Sequence, residues 1–213
     1  QGGRGAGVYI TGLVNGYQKD LHSPGLYKVK PSAERGTKWA VEPDASTTIP
    51  SLIGVLGAAA PSESGVSSAT ETADVFADSV LSRERRQIGN GFSLFYTPNY
   101  VIDGMGVWLS SSQKTSSSGA GSPRSFAQLL ANTANKPAGH GDPERYKWYI
   151  VGQGAKVFQQ ALQEYKRIGK APLNRNHEFY FIDPQVPLGL LKDDLRSQGI
   201  DFYHDRNIVE DKM

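Results

Sequence analysis

One block of the chain constrains the fold more than any other. Residues 146–199 alternate short aromatic or β-branched runs with segments of helical spacing, and glycine or proline separates them. Tyr146–Val151 (YKWYIV) has the composition of a strand, and Gly152, Gln153 and Gly154 form a tight turn. Residues 155–168 then put Val157, Phe158, Ala161, Leu162, Tyr165 and Ile168 on one helical face, with Gly169 where helices commonly end. His177–Ile182 (HEFYFI) is a second strand, closed by Asp183 and Pro184. Leu188, Leu191 and Leu195 mark another helix, ended by Gly199, and residues 200–203 (IDFY) a short third strand. Strand–helix–strand passes joined by short loops predict parallel strands.

In such a sheet the functional crevice lies beyond the carboxyl ends of the strands. Those ends are residues 152–154, Asp183 with Pro184, and His204 with Asp205. All three gather glycine or polar residues at one edge.

Upstream the pattern is looser. Residues 1–7 are glycine-rich, and prolines at 24, 31, 43 and 50 punctuate short extended pieces over 26–30 and 38–42. Residues 49–60 contain Pro50, Ser51 and two glycines, which predicts a loop or short helix. A helix is expected over 70–86, capped by Thr70, with Val75, Phe76, Val80 and Leu81 buried. Glu71 and Asp74 would sit near its start, and Arg83, Arg85 and Arg86 near its end. Residues 92–97 (FSLFYT) predict a buried strand, 110–123 a low-complexity surface loop, and Ser125 a cap for a helix over 126–132. The expected division is an irregular or helical segment over 1–90 and an α/β domain over 91–213.

Composition narrows the chemistry. With 23 basic and 21 acidic residues the formal net charge is only +2, which argues against a nucleic-acid partner. The absence of cysteine excludes disulfides, thiolate metal sites and cysteine nucleophiles. The four histidines are scattered without ligand spacing, so no metal site is indicated. No apolar run is long enough to span a bilayer. The glycine pattern stops at GxG, short of a dinucleotide fingerprint, and no cofactor is implied. A chain that opens on Gln1 is expected to be a piece of something longer.

The run Val151-Gly152-Gln153-Gly154-Ala155, set between a buried strand and a helix, resembles the nucleophile elbow of α/β-hydrolases. In many lipase-like bacterial members that elbow reads approximately His-Ser-Gln-Gly-Ala. The resemblance extends over roughly residue 92 to the end. It implies an α/β fold with a mainly parallel sheet, and an oxyanion-binding turn at Gly152, Gln153 and Gly154. It also implies an acid, Asp183, and then a histidine, His204, downstream of the elbow. The nucleophile position is Gly152, which has no side-chain oxygen, so serine-type acyl transfer cannot run from it. A variable Gly/Ser-rich front before a compact α/β end is similar in layout to the C-terminal modules of bacterial polymorphic toxins. That layout implies secretion into another cell and a cognate immunity protein as partner.

Three functions follow as expectations. The first is a secreted toxin or effector module on a hydrolase-like scaffold without its serine. It would act by target binding or by non-standard chemistry around Asp183 and His204. The second is an active hydrolase with another nucleophile, for which Ser93 and residues 110–112 are poor candidates. The third is a non-catalytic interaction domain of a larger secreted protein. Structural readings stand beside these. Gly152 and Gly154 can serve close strand-to-helix packing. Asp183 can simply end its strand, and His204 can be an ordinary surface residue. His177 and Glu178 are expected in solvent, while His140 and Asp142 lie on a loop that could reach the crevice.

Overall fold

The computed structural model describes residues 23–49, 51–60, 67–100, 109–110, 121–134, 145–169, 171–173 and 176–200. Along the chain run β1 (Gly25–Pro31), β2 (Trp39–Pro43), β3 (Ile53–Gly57), α1 (Ala69–Asp78) and β4 (Phe92–Tyr96). The short strands β5 (Asn99–Tyr100) and β6 (Leu109–Ser110) follow and pair with each other. Then come α2 (Pro123–Ala134), β7 (Tyr146–Val151), α3 (Gly154–Ile168), β8 (His177–Ile182) and α4 (Leu188–Arg196). Two 3-10 turns, Ser82–Glu84 and Ile88–Asn90, separate α1 from β4.

Six strands form one sheet in the order β2-β1-β4-β3-β7-β8. The pairs β4–β3, β3–β7 and β7–β8 are parallel, while β1 is antiparallel to both β2 and β4. The protein is therefore α/β with a mostly parallel sheet. β3 and β4 are buried at every position, as central strands covered on both faces must be. One face packs against α2 and α3 through Phe126, Trp148, Phe158, Phe179 and Phe181. The rings of Phe126 and Trp148 meet edge-to-face at 4.9 Å. The other face packs Tyr27, Ile53, Phe92 and Tyr149 with Phe76 of α1.

Several expectations need correction. Residues 49–60 hold β3 rather than a loop or short helix. Gly54 there is a packing position, since a Cβ on it would lie 2.6 Å from the Trp148 indole. The segment 1–90 is not simply irregular or helical. The extended pieces near 26–30 and 38–42 are β1 and β2, and strands from both sides of the expected boundary between 90 and 91 pair, as Gly54 does with Ser93.

The helix expected over 70–86 starts and stops earlier. Ser68 caps it, accepting from the Glu71 N–H while the Glu71 carboxylate accepts from the Ser68 N–H, and it ends at Asp78. Its buried face is Ala69, Thr72, Ala73, Phe76 and Ala77, leaving Val75 49% exposed. Small alanines set the phase, and a stripe of large residues misses them. For α2 the capping residue is Ser122, whose hydroxyl accepts from the Ser125 N–H, and Pro123 occupies the first turn.

His177 is not in solvent. β8 alternates so that residues 177, 179 and 181 face α2 and α3, and His177 is only 3% exposed. Its Nε2 lies 3.3 Å from the Leu130 carbonyl, while Nδ1 has no partner among the described residues. Burial lowers the imidazole from 6.5 to about 4, against a smaller opposite pull from that carbonyl. The unfolded chain takes up this proton as pH falls through its ordinary value, and the folded chain does not until much lower. The associated stability is therefore complete above pH 6.5 and is lost as pH falls toward 4. The loss amounts to about 3 kcal/mol. A His177→Gln variant keeps a donor but cannot titrate. Urea unfolding at about pH 7 and about pH 4.5 is expected to show a smaller acid loss in the variant than in the parent; equal losses would refute the assignment.

Candidate functional site

The connections out of two adjacent strands set the site. From β3 the chain passes through α1 to β4, on one side of it, with α1 packed on one face of the sheet. From β7, the other neighbour of β3, it passes through α3 to β8, with α3 on the opposite face. Connections that diverge in this way open a crevice at the carboxyl ends of the two strands. Residues 151–154 lie there.

The backbone turns at once from strand to helix. Gly152 has φ +52, a left-handed conformation that side chains with a Cβ resist. Its N–H donates to the Ile182 carbonyl at 2.9 Å. Its carbonyl accepts from the Gln185 N–H at 3.1 Å and the Ala155 N–H at 3.2 Å. The Lys156 N–H closes back on the Gln153 carbonyl at 3.0 Å. The two preceding N–H groups, of Gln153 and Gly154, have no intrahelical acceptor by their position at the helix head.

The two glycines serve different ends. A Cβ on Gly154 would lie 2.5 Å from the Leu56 carbonyl oxygen, so helix and strand backbones touch there. A Cβ on Gly152 would meet nothing within 4 Å. Gly154 is required by space, and Gly152 by its dihedral angle.

Asp183 is brought to the same rim. It sits between Ile182 and Gln185, the two residues hydrogen-bonded to Gly152, and is itself left-handed at φ +43. Its carboxylate is exposed and accepts from the Gln185 side-chain amide at 3.2 Å. The apolar residues Leu188 (38% exposed) and Leu190 (58% exposed) follow closely in the first turn of α4. His204, the expected strand over 200–203 beyond its first residue, and the loop residues His140 and Asp142 lie outside the described residues.

Ser93 lies deep in β4, fully buried beside Gly54, where a substrate does not reach. Thr97, which the sequence places only at the end of a buried strand and gives no site role, directly follows β4 at the rim. Its N–H donates to the Gly57 carbonyl at 3.2 Å, and its buried hydroxyl has no partner among the described residues.

A second polar group was also missed. On the sheet face opposite α3, the Tyr149 hydroxyl and the Lys147 ammonium both donate to Glu84 Oε1, at 2.8 and 3.0 Å. Tyr180 stacks on Tyr149 with centroids 5.0 Å apart and donates to Glu178, which also pairs with Arg145. Burial, reinforced by Glu84, pushes the Tyr149 phenol far above its ordinary value, so it stays a donor. The period-2 spacing of Lys147 with Tyr149 and of Glu178 with Tyr180 is the signal that could have found this group. Its members satisfy one another, which suits a structural clasp between β7, β8 and the Ser82–Glu84 turn. Among the described residues no cluster of His, Asp and Glu is arranged to hold a metal, and no helix is long and apolar enough to cross a membrane.

The turn at 152–154 makes a direct prediction. Gly154→Ala must force α3 away from β3 and is expected to cost about 3 kcal/mol. Gly152→Ala meets open space and strains only its own dihedral angle, at a cost of about 1 kcal/mol. Chemical denaturation of the two variants checks the order, and a reversed order would contradict the packing described. Compared with known proteins, the chain matches no family model, no curated protein and no solved structure.

Proposed function

We propose that this chain is a binding module on an α/β-hydrolase-like scaffold that lacks the serine nucleophile. In this reading it belongs to a secreted bacterial toxin or effector and acts by holding its target at the carboxyl rim of the sheet. The observation that carries the scaffold reading is the left-handed Gly152, between a buried strand and a helix, with open space where a side chain would begin. In an active elbow that strained position exposes the serine oxygen to substrate, and the helix head donates to the developing oxyanion. Asp183 after the next strand keeps the order in which an acid follows the elbow. Glycine supplies neither the attacking oxygen nor a proton to be abstracted, so covalent acyl transfer has no starting atom here.

What remains favours recognition. The helix head offers N–H donors to a carbonyl or anionic oxygen. Asp183 offers an exposed carboxylate to a hydroxyl or cationic group. Leu188 and Leu190 add apolar surface alongside. The toxin part of the reading is supported by the layout of the sequence, and it carries with it a cognate immunity protein as the natural partner. The alternative of an active hydrolase gains nothing from Ser93, which is sealed in the sheet.

Gly152→Ser tests the elbow. The variant is expected to fold with a loss of about 1–2 kcal/mol and to be labelled by a fluorophosphonate probe, while the parent and Gly152→Ala stay unlabelled. A folded Gly152→Ser that resists labelling would overturn the elbow reading. Labelling of the parent would instead favour the active hydrolase. Expression in bacterial cytoplasm and in periplasm tests the toxin reading, and normal growth in both would count against it.

A further inference from the structure

Arg83, Arg85 and Arg86 have no role in the helix to which their sequence position suggested they belong. α1 ends at Asp78 and has no basic residue in its last turn, so these arginines do not complement a helix dipole. They lie instead in and just after the 3-10 turn at Ser82–Glu84, and all three are exposed. The turn is held at both ends by the buried side chains of Leu81 and Ile88. Its backbone closes through the Glu84 N–H on the Leu81 carbonyl (2.9 Å) and the Gln87 N–H on the Glu84 carbonyl (2.7 Å).

The one acid within the run does not neutralise them. Glu84 is turned inward, its side chain 13% exposed, and its carboxylate is occupied by Lys147 and Tyr149. Some other exposed cations are paired, Lys38 with Asp78, Arg145 with Glu178 and Arg167 with Glu164. Among the described residues those without an ion-pair partner, such as Arg35, Arg124 and Lys156, stand singly rather than in a run. Among the described residues the three arginines have no ion-pair partner. Arg85 also lies near enough to Lys38 to oppose its charge. The result is a concentration of unpaired guanidinium groups on an anchored turn, which lowers the entropy cost of using them.

We infer that this turn is a docking surface for a carboxylate-rich segment of a partner protein. The planar guanidinium fork matches a carboxylate with two parallel hydrogen bonds, and three such groups within four residues suit a run of acidic side chains. A nucleic-acid partner fits less well, because the overall charge is only +2 and gives no broad positive field. Position adds to the argument. The turn leads into the amino end of β4, whereas Gly152 and Asp183 lie at the carboxyl ends of the parallel strands. A partner held by the arginines would therefore leave the rim open, so it is a docking partner rather than a plug.

The test is fluorescence anisotropy with a labelled oligoglutamate peptide, with a single-stranded oligonucleotide and phosphatidylserine vesicles as competing probes. The peptide is expected to bind the parent in a salt-dependent manner. Affinity should fall by about 10-fold in R83S/R85S/R86S and by less than about 2-fold in the charge-matched control R124S/K156S/R167S. R83K/R85K/R86K keeps the charge without the fork, should fold even if the serine variant does not, and is expected to weaken binding to an intermediate degree. The inference fails if the peptide does not bind the parent, or if the control loses as much as the arginine variant. It fails equally if the lysine variant binds like the parent, or if the oligonucleotide or the vesicles bind more tightly than the peptide.

Discussion

The constraint on which the carboxyl rim depends is the contact between the head of α3 and the end of β3. With a Cβ position on Gly154 only 2.5 Å from the Leu56 carbonyl oxygen, the helix backbone rests directly on the strand backbone. That contact fixes where β7 must turn, because Gly154 follows the last residue of the strand by only a few bonds. The left-handed Gly152 is the consequence. The chain has two residues in which to leave the sheet and start a helix, and only a reversal of φ accomplishes this. The hydrogen bonds from Gly152 to Ile182 and Gln185 then carry the same constraint across to β8 and place Asp183 beside the turn.

The two faces of the sheet respond to this in different ways. On the α3 face, aromatic side chains fill the space between helices and strands, with Phe158 meeting Phe126, Phe179 and Phe181. Dense packing of this sort keeps the helix head where the turn needs it. On the other face α1 covers β2 and β4, and the β7–β8 end is closed by the clasp of Tyr149, Tyr180, Lys147 and Glu84. That clasp reaches from the strand that leads into Gly152 to the turn bearing the arginines. Functional candidates at opposite ends of the sheet are thus joined through one rigid strand.

How much could be read in advance depended on whether local signals agreed with the tertiary ones. β7, α3 and β8 were legible because composition, spacing and bounding glycines all pointed the same way. β3 was not, since Gly54 and Gly57 look like breakers until the Trp148 ring is seen lying over the first. α1 was displaced because its buried face is built on Ala69, Ala73 and Ala77, whose small side chains carry little hydrophobic signal. His177 was misplaced because a histidine beside a glutamate looks like a solvated pair, whereas strand alternation sends the two to opposite faces. Of the candidate site, the turn and Asp183 could be named from the sequence. The alternation of Lys147 with Tyr149 hints at a polar face, but its partner Glu84 and the rim position of Thr97 emerge only from the tertiary fold.

The contrast between the two glycines bears on why glycine stands at 152. If Gly152 were there for lack of room, its identity would say nothing about chemistry, as is the case for Gly154. It has room. The only demand on the position is a positive φ, which glycine meets at no cost and which a serine can meet at a cost of about 1–2 kcal/mol. An enzyme accepts that strain because the exposed hydroxyl returns far more in rate than it loses in stability. A protein that does no acyl transfer gains nothing from the strain, and glycine is then the residue the backbone itself prefers. The conformation at 152 is therefore set by the fit of helix to sheet, and under the proposed binding role glycine is the residue that meets it without strain.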